Sequence, residues 1–393
     1  MKKYCPICCS IEIEYLYETE VPILQNRVYA SKENALRCIQ GSINLGHCLN
    51  CNFTFNGSFE EDKIIYDEEY DNAVPSKLFS EYYQSICEYL YEKYHLEGGI
   101  VYDIGCGKGK LLEMLCEMYP NITAIGIDPS YEGELNPVLN LTFIQDFFKQ
   151  EHVIGRPSLI LSRHVFEHIE FPKDFLRIIY DPLSLYHDVP IFIEVPDFQW
   201  IVENKTFWDL CYEHCNYFSE KSLQEVFNNS WSVLNMITKS FSNQYLWIEG
   251  VLNPTIGTAY DFSANKILES DIHEFIDSIQ NAQKKIHALI MDYKGRNFNI
   301  VVWGMATKGV IFTNNIDIEN KIVDYCIDIN SEKQNKYSPI SGHFIHSPEK
   351  LLNLTGAKFL IIVMNTNYFE EIKYQVMDLT QNATFIDAHG NEL

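Results

Sequence analysis

Glu213 and His214 stand side by side within residues 207–219, and Tyr212 comes directly before them. A carboxylate, an imidazole and a phenol in consecutive positions are the raw material of general acid–base chemistry, in which one group moves a proton and a neighbour orients it. An aromatic turn around one hydrogen-bonded histidine is the structural alternative. A second set lies upstream, where Gly105, Cys106, Gly107 and Gly109 follow Asp103. Glycine lets backbone close on a ligand because no Cβ stands in the way. A third set is two Cys-x-x-Cys knuckles, Cys5 with Cys8 and Cys48 with Cys51. Four thiolates can wrap one tetrahedral Zn²⁺ and leave no open position, so such a metal is structural. The gap between the knuckles is longer than usual for a zinc ribbon. It reads as a small insertion, residues 16–45, closed back by the metal. Redox or merely buried cysteines are the alternative, and Cys9 and Cys38 are spare thiols.

The elements that must position these groups follow from local pattern. An apolar, β-favouring run over 100–104 enters the glycine turn, and Leu111, Leu112, Leu115 and Met118 then repeat at helical spacing. Strand, glycine turn and helix present a nucleotide-like ligand at the strand ends of an α/β sheet. The pattern is Gly-x-Gly-x-Gly behind an acid, distinct from the dinucleotide fingerprint. A second strand, 123–127, ends at Asp128, about 20 positions beyond the last glycine, where such folds place an acid on a ribose diol. A third, 141–144, leads to Asp146 and Phe147. A fourth, 159–162, runs into Arg163, His164, Val165, Phe166, Glu167 and His168. This series resembles a class I S-adenosylmethionine (SAM) methyltransferase. The resemblance implies that Asp103 is the acid of the first motif, Asp128 the ribose acid and Asp146 the adenine-amine acceptor. It also places Gly105, Cys106, Gly107, Gly109, Phe147, Arg163 and His164 beside SAM. SAM carries no phosphate, so three acids can line its site without repelling a pyrophosphate, which favours SAM over a nicotinamide dinucleotide. The four-residue spacing of His164 and His168 would put both on one face of a helix, an arrangement that can also bind metal.

A chain of 393 residues suggests two or three domains, and 46% hydrophobic with 21% charged residues leaves ample core. A net charge of −24 repels phosphate backbones, so no nucleic-acid partner is expected. Tyr4, Cys5 and Pro6 follow the initial lysines where a signal peptide would need an apolar run. The longest apolar runs are too short to span a bilayer. The expectation is a cytoplasmic protein with no membrane partner, whose twelve cysteines are metal ligands and buried thiols rather than disulfides.

The expected organisation is a zinc module over 1–75, a SAM domain over 76–255, and a C-terminal Rossmann-like α/β domain over 265–393 led by a long helix. Residues 76–97 carry a helical aromatic stripe that suits core packing. A fifth strand is expected at 190–195. In the last domain strands are expected at 299–304, 322–327 and 359–363, with a Gly-containing turn at 305–309 and an acid at Asp328. The segments 21–29 and 67–72 read either as solvated loops or as a lid over the substrate.

Zinc knuckles, a SAM domain and the run Glu213, His214, Tyr217, Phe218, Ser219 together resemble the three-domain sugar C-methyltransferases, over nearly the whole chain. Those enzymes methylate the carbon beside the ketone of nucleotide-linked 4-ketosugars. The resemblance implies that Glu213 and His214 are the family's acid and catalytic histidine, with Tyr212 or Tyr70 assisting. The family tyrosine stands two places before the glutamate, where this chain has Cys211. Adjacent residues point in different directions in any regular element, so Tyr212 does not simply take over that role. Asn335 and Pro339-Ile340 stand where the family has glycine and Pro-Gly. O- or N-methylation of a sugar or other small polar metabolite is the alternative activity, and a SAM-sensing binding protein the alternative class.

Overall fold

Apolar runs settle into three sheets in the computed structural model, which describes residues 1–65, 75–228, 231–255, 264–354 and 356–393. The first sheet is antiparallel. β1 (Ile13–Pro22) pairs with β2 (Gln40–Cys48), and β2 pairs with β3 (Thr54–Asn56). Between β1 and β2 lies a short helix, α1 (Lys32–Leu36), whose amides are capped by the Ser31 side chain. The aromatic stripe becomes α2 (Lys77–Tyr94), capped by Ser76 and burying Ile86, Cys87 and Leu90.

The central sheet has seven strands. β4 (Ile100–Ile104) is followed by α3 (Lys110–Met118), β5 (Thr123–Ile127), β6 (Leu141–Ile144) and β7 (Leu159–Arg163). Then come α4 (Pro172–Tyr180), β8 (Val189–Pro196) and α5 (Phe198–Glu203). Two residues, β9 (Asn216–Tyr217), leave this domain and pair with β3, adding a fourth strand to the N-terminal sheet. After α6 (Glu220–Val226), the strands β10 (Ser232–Ser240) and β11 (Tyr245–Leu252) complete the large sheet in the order β10-β11-β8-β7-β4-β5-β6. β4 to β8 run parallel and β11 is antiparallel to β8. Parallel strands covered on both faces need nearly continuous apolar residues, which these have. Strand order reverses beside β4, and the crevice at that reversal is where such sheets bind ligands.

The third sheet follows the 27-residue helix α7 (Glu269–Gly295), whose buried Ile272, Phe275, Ile279, Ile286 and Ile290 form one stripe. β12 (Phe298–Trp303), α8 (Thr307–Ile316), β13 (Tyr325–Ile327), β14 (Ile345–His346), β15 (Lys358–Val363), α9 (Phe369–Leu379) and β16 (Ala383–Asp387) build an all-parallel sheet, ordered β14-β13-β12-β15-β16. β13 is shorter than the strand expected over 322–327. The Asp317 carboxylate takes the amides of Lys321, Ile322 and Val323, which removes them from any ladder.

One expectation is corrected here. Residues 21–29 form neither a solvated loop nor a lid: Val21, Ile23, Leu24 and Val28 pack with Phe198, Trp208 and Tyr212 in one core. Asn26 Nδ2 donates to Thr307 Oγ1 at 3.1 Å, Lys333 Nζ donates to Asn26 Oδ1 at 2.8 Å, and Tyr29 bridges to Tyr337. The segment wedges the N-terminal module against the C-terminal domain. Residues 67–72, Tyr70 among them, lie outside the described residues, so that candidate has no place in the geometry below. Among the described residues no helix is long and apolar enough to cross a membrane.

Candidate active site

The glycine turn is built as its sequence requires. Gly105, Gly107 and Gly109 have φ of 78°, 53° and 73°, the left-handed region that side chains disfavour. A Cβ on Gly105 would lie 2.4 Å from Val165, and one on Gly109 would lie 2.3 Å from Phe143. A Cβ on Gly107 would meet no described atom within 4 Å, so this is the open face of the turn. Asp128, at the end of β5, accepts the Gly107 N–H on Oδ2 at 2.8 Å. Its Oδ1 accepts the Ser130 N–H at 2.8 Å and the Ser130 hydroxyl at 2.6 Å. The acid expected to hold a ribose therefore also fixes the loop.

Asp103 is 4% exposed, and its Oδ1 has no hydrogen-bond partner among the described residues. Burial pushes its carboxyl up to about 6, with Arg163 opposing and Asp128 adding to the rise. An unsatisfied buried acceptor at the head of an open glycine turn fits the donor groups of SAM. Asp146 is half-buried, accepts the Phe147 N–H on Oδ1 at 2.8 Å and pairs with Lys149 at 2.6 Å. The Phe147 ring beside it is 70% exposed, a free aromatic face. Cys106 packs its sulfur over Gly126, 2.8 Å from where a Cβ there would lie.

At the end of β7 the structure departs from expectation. Arg163 turns beneath the site, its Nη2 2.7 Å from Glu194 Oε1 and its guanidinium over the Tyr83 ring at 4.7 Å. Glu194 is fully buried and also receives His164 Nε2 at 2.8 Å, Trp247 Nε1 at 2.5 Å and the Tyr82 hydroxyl. Burial works against its charge, but Arg163 and then His164 hold the carboxyl far below the usual range. His164 and His168 do not share a helix face. His164 has φ of 53° and the chain makes only a 3₁₀ turn over Phe166–His168. Burial tends to lower the His164 value, but its hydrogen bonds to the Glu167 and Glu194 carboxylates outweigh it and raise it to about 9.

That turn delivers Glu167 and His168 to His214. The His168 and His214 rings meet edge to face at 4.9 Å, and one ligand atom from each of Glu167, His168 and His214 lies within 4.8 Å of the others. Glu167 accepts His164 Nδ1 on Oε1 at 3.3 Å. Burial, followed by the neighbouring His168, lowers His214 to about 3, so its imidazole is neutral near pH 7. The neighbours read from sequence go elsewhere. Glu213 accepts the Gln25 N–H on Oε1 at 2.9 Å. Tyr212 is buried in the N-terminal module, its ring against Gly41 and Phe59, its hydroxyl accepting the Glu60 N–H at 2.9 Å. Glu194 and Glu167 were missed, although a single acid in the otherwise apolar run 189–196 was a readable signal of a buried charge.

A second cleft opens between the central and C-terminal domains, lined by Trp200, Trp208, Gln244, Lys308, Asn365 and His389 among others. Lys308 Nζ lies 2.7 Å from Asp209 and 5.2 Å from the centre of the Trp200 ring.

Four cysteines converge at the N-terminus. Cys5 and Cys51 sulfurs are 3.5 Å apart, as are Cys8 and Cys48, and all twelve cysteines are free of disulfides.

Comparison with known proteins adds family context. Residues 76–230 match the family model described as a methyltransferase domain, and residues 264–387 match a C-methyltransferase C-terminal domain. The chain is 23% identical over 288 residues to C-methyltransferase NovU of Streptomyces niveus, spanning 68% of this chain and 67% of that protein. Over 97 residues it is 30% identical to the mitochondrial ubiquinone biosynthesis O-methyltransferase of Schizosaccharomyces pombe, spanning 23% of this chain and 35% of that protein. The solved plantazolicin methyltransferase BpumL, in complex with a monoazolic desmethylPZN analog and SAH, is similar over 45% of this chain and 86% of its own, at TM-score 0.35 and 17% identity. Magnesium protoporphyrin IX methyltransferase (ChlM) from Synechocystis with bound SAM is similar over 47% and 86%, at TM-score 0.33 and 15% identity.

Proposed function

We infer, from the premise that this chain is a SAM-dependent methyltransferase of the C-methyltransferase family, that it methylates the carbon beside the ketone of a nucleotide-linked sugar. The observation that carries this reading is the placement of His214 with Glu167 and His168, two and three residues beyond the Val165 that packs on Gly105 of the glycine turn. SAM, when bound, supplies a methyl group made electrophilic by its cationic sulfur. The chain's task is to place a nucleophilic carbon in line with it, near 3 Å. Asp128 and the Gly107 backbone face hold the nucleoside, Asp103 its donor groups, and Asp146 with Phe147 the adenine. The acceptor carbon must lose a proton, and the oxygen beside it must be steadied as charge builds. His214, neutral and half-buried, is placed for either job. The cleft lined by Trp200, with Lys308 held by Asp209, offers an aromatic face for a base.

Solvent deuterium is the test. With SAM's demethylated product bound, the unreacted ketosugar should exchange the ring proton next to its carbonyl. Absence of exchange would sink the enolate route. One observation favours O- or N-methylation as the second reading: Tyr212 is sequestered and Cys211 fills the family's tyrosine position, and transfer to oxygen or nitrogen needs only a base.

The glycine turn gives a paired expectation. Gly107→Ala places a side chain on the open face proposed for SAM and should weaken SAM binding, while the left-handed penalty of about 1–2 kcal/mol lowers the melting temperature modestly. Gly109→Ala adds a clash of its Cβ with Phe143 to the same penalty and should lower the melting temperature further. Calorimetry and thermal unfolding of both variants check this.

Asp103 gives a pH dependence. Its folded value, about 6, lies above the ordinary 3.8, so the unliganded fold favours the protonated form, and that preference is lost as pH rises through 6. A cationic ligand favours the carboxylate, so SAM affinity should climb between pH 5 and 7 and then level off. Asp103→Asn should flatten the profile, and a wild-type profile already flat would remove Asp103 from the site.

Cys5, Cys8, Cys48 and Cys51 hold a structural Zn²⁺ in this reading. Zn–S bonds of about 2.3 Å in a tetrahedron require sulfurs about 3.8 Å apart, close to the spacing found. Protein purified without added zinc should carry one equivalent, and a chelator should lower its melting temperature. Metal content well under one equivalent would end the assignment.

A further inference from the structure

We propose that Glu167, His168 and His214 form a second metal site, taking one first-row divalent cation such as Mn²⁺, Co²⁺ or Zn²⁺ just beyond Val165, which packs on the glycine turn. Two imidazoles and one carboxylate leave coordination positions open, the donor set of reactive rather than structural metal centres. Their ligand atoms already lie within 4.8 Å of one another. Glu167 is 1% exposed, and its Oε2 has no hydrogen-bond partner among the described residues. A buried, unsatisfied acceptor costs about 1–3 kcal/mol, more when charged, and a cation removes that cost directly.

The surroundings match what ligating residues require. Metal-bound histidines donate their other ring N–H to a fixed acceptor, and ligating carboxylates are themselves hydrogen-bonded. His168 Nδ1 lies 2.9 Å from the Glu213 carbonyl, which can only accept. Nδ1 therefore carries the proton, and Nε2 keeps its lone pair. His164 holds the other oxygen of Glu167. His168 and His214 are only half-buried, so a cation can reach them from solvent. A net charge of −24 draws cations toward it. The other such group among the described residues, Asp146, Glu151 and His152, lacks this design, because Glu151 is exposed and neither carboxylate has a buried oxygen without a partner.

A cation with open positions can bind a substrate carbonyl oxygen and stabilise the negative charge that forms on it. That role rests on the ketosugar reading and would assign His214 to steadying the oxygen. The binding itself stands apart from it.

The experiment uses full-length protein with its cysteine site filled by zinc, titrated with Co²⁺ and followed by visible absorption. One further equivalent is expected, with weak ligand-field bands and no thiolate charge-transfer band. Glu167→Gln and His168→Asn should each weaken it about 100-fold or more, while SAM binding, followed by calorimetry, shows that both variants remain folded. No further equivalent in excess Co²⁺, a thiolate band, or unchanged binding in both variants would overturn the proposal. Loss of SAM binding in the unmodified protein would instead overturn the methyl-transfer reading, so the two failures are separable.

Discussion

His214→Asn is expected to lower methyl-transfer turnover about 10³-fold, within the range for loss of a positioned acid–base group, with SAM affinity nearly unchanged. The argument is geometric. In the proposed reading His214, clustered with Glu167 and His168, serves the acceptor, whereas Gly107, Asp103 and Asp128 serve SAM. Whether its lone pair takes a proton or holds a cation, asparagine cannot supply it. Burial keeps the imidazole neutral, near 3 rather than 6.5, so the lone pair is present throughout the neutral range. Its own titration should therefore leave no limb near pH 6.5 in the turnover profile. Glu213→Gln is the informative control. The side-chain oxygen that receives the Gln25 N–H survives that change, so turnover should fall far less. If instead Glu213→Gln matched the His214 variant, the carboxylate would act on the substrate and the geometry described here would be wrong. Unchanged turnover in His214→Asn would take the residue out of the mechanism altogether.

The contrast between these two residues shows what the sequence could carry. The glycine turn, its acids and the parallel strands were legible because backbone geometry and apolar runs dictate them locally. Gly105 and Gly109 have no alternative when Val165 and Phe143 stand where their Cβ atoms would be. The partners of His214 were not legible, because they depend on pairing between distant segments. β9 joins β3 through Thr54 with Tyr217 and Phe55 with Asn216. The Tyr217 hydroxyl then clamps both the N–H and the carbonyl of Cys211, at 3.2 and 3.1 Å. With both ends held, Tyr212 faces the N-terminal module and the Cys211 side chain is fully buried. Burial, with Glu213 nearby, pushes that thiol well above its usual value, so it stays a neutral thiol packed in the interior.

The C-terminal domain repeats the same local logic with a different outcome. Asp328, at the end of β13, accepts the Met305 N–H on Oδ2 at 2.7 Å and the Asn330 N–H on Oδ1 at 2.8 Å, as Asp128 does for Gly107 and Ser130. The turn after its first strand has one residue at positive φ, Gly304, where the central domain has three. Asn26 and Lys333 sit against it. The half-Rossmann pattern was readable from spacing. That its mouth receives a wedge from residues 21–29 was not, because that segment is short, mixes apolar residues with Gln25, Asn26 and Arg27, and has no periodicity.

Glu194→Ala is expected to destabilise the fold by about 3–5 kcal/mol, the cost of leaving a buried cation without its partner. Four donors lose their acceptor at once: Arg163, His164, Trp247 and Tyr82. Arg163 cannot deprotonate to escape, and its Nε already lacks a described partner. Replacing the carboxylate with a small apolar group is worse than never having had the pair, since the penalty comes from the charge left behind. The pH dependence carries a definite sign. Glu194 has a folded value below its ordinary 4.5, so its contribution is present above 4.5 and lost as pH falls toward the folded value. His164 has a folded value of about 9 against 6.5, so its contribution is complete below 6.5 and lost as pH rises through 9. The stability difference between wild type and Glu194→Ala, measured by urea unfolding, should therefore be largest between about pH 4.5 and 6.5 and shrink on both sides. Glu194→Gln should fall between the two proteins, because one amide oxygen can still accept but the charge is gone. A variant as stable as the wild type would mean that Arg163 reaches solvent.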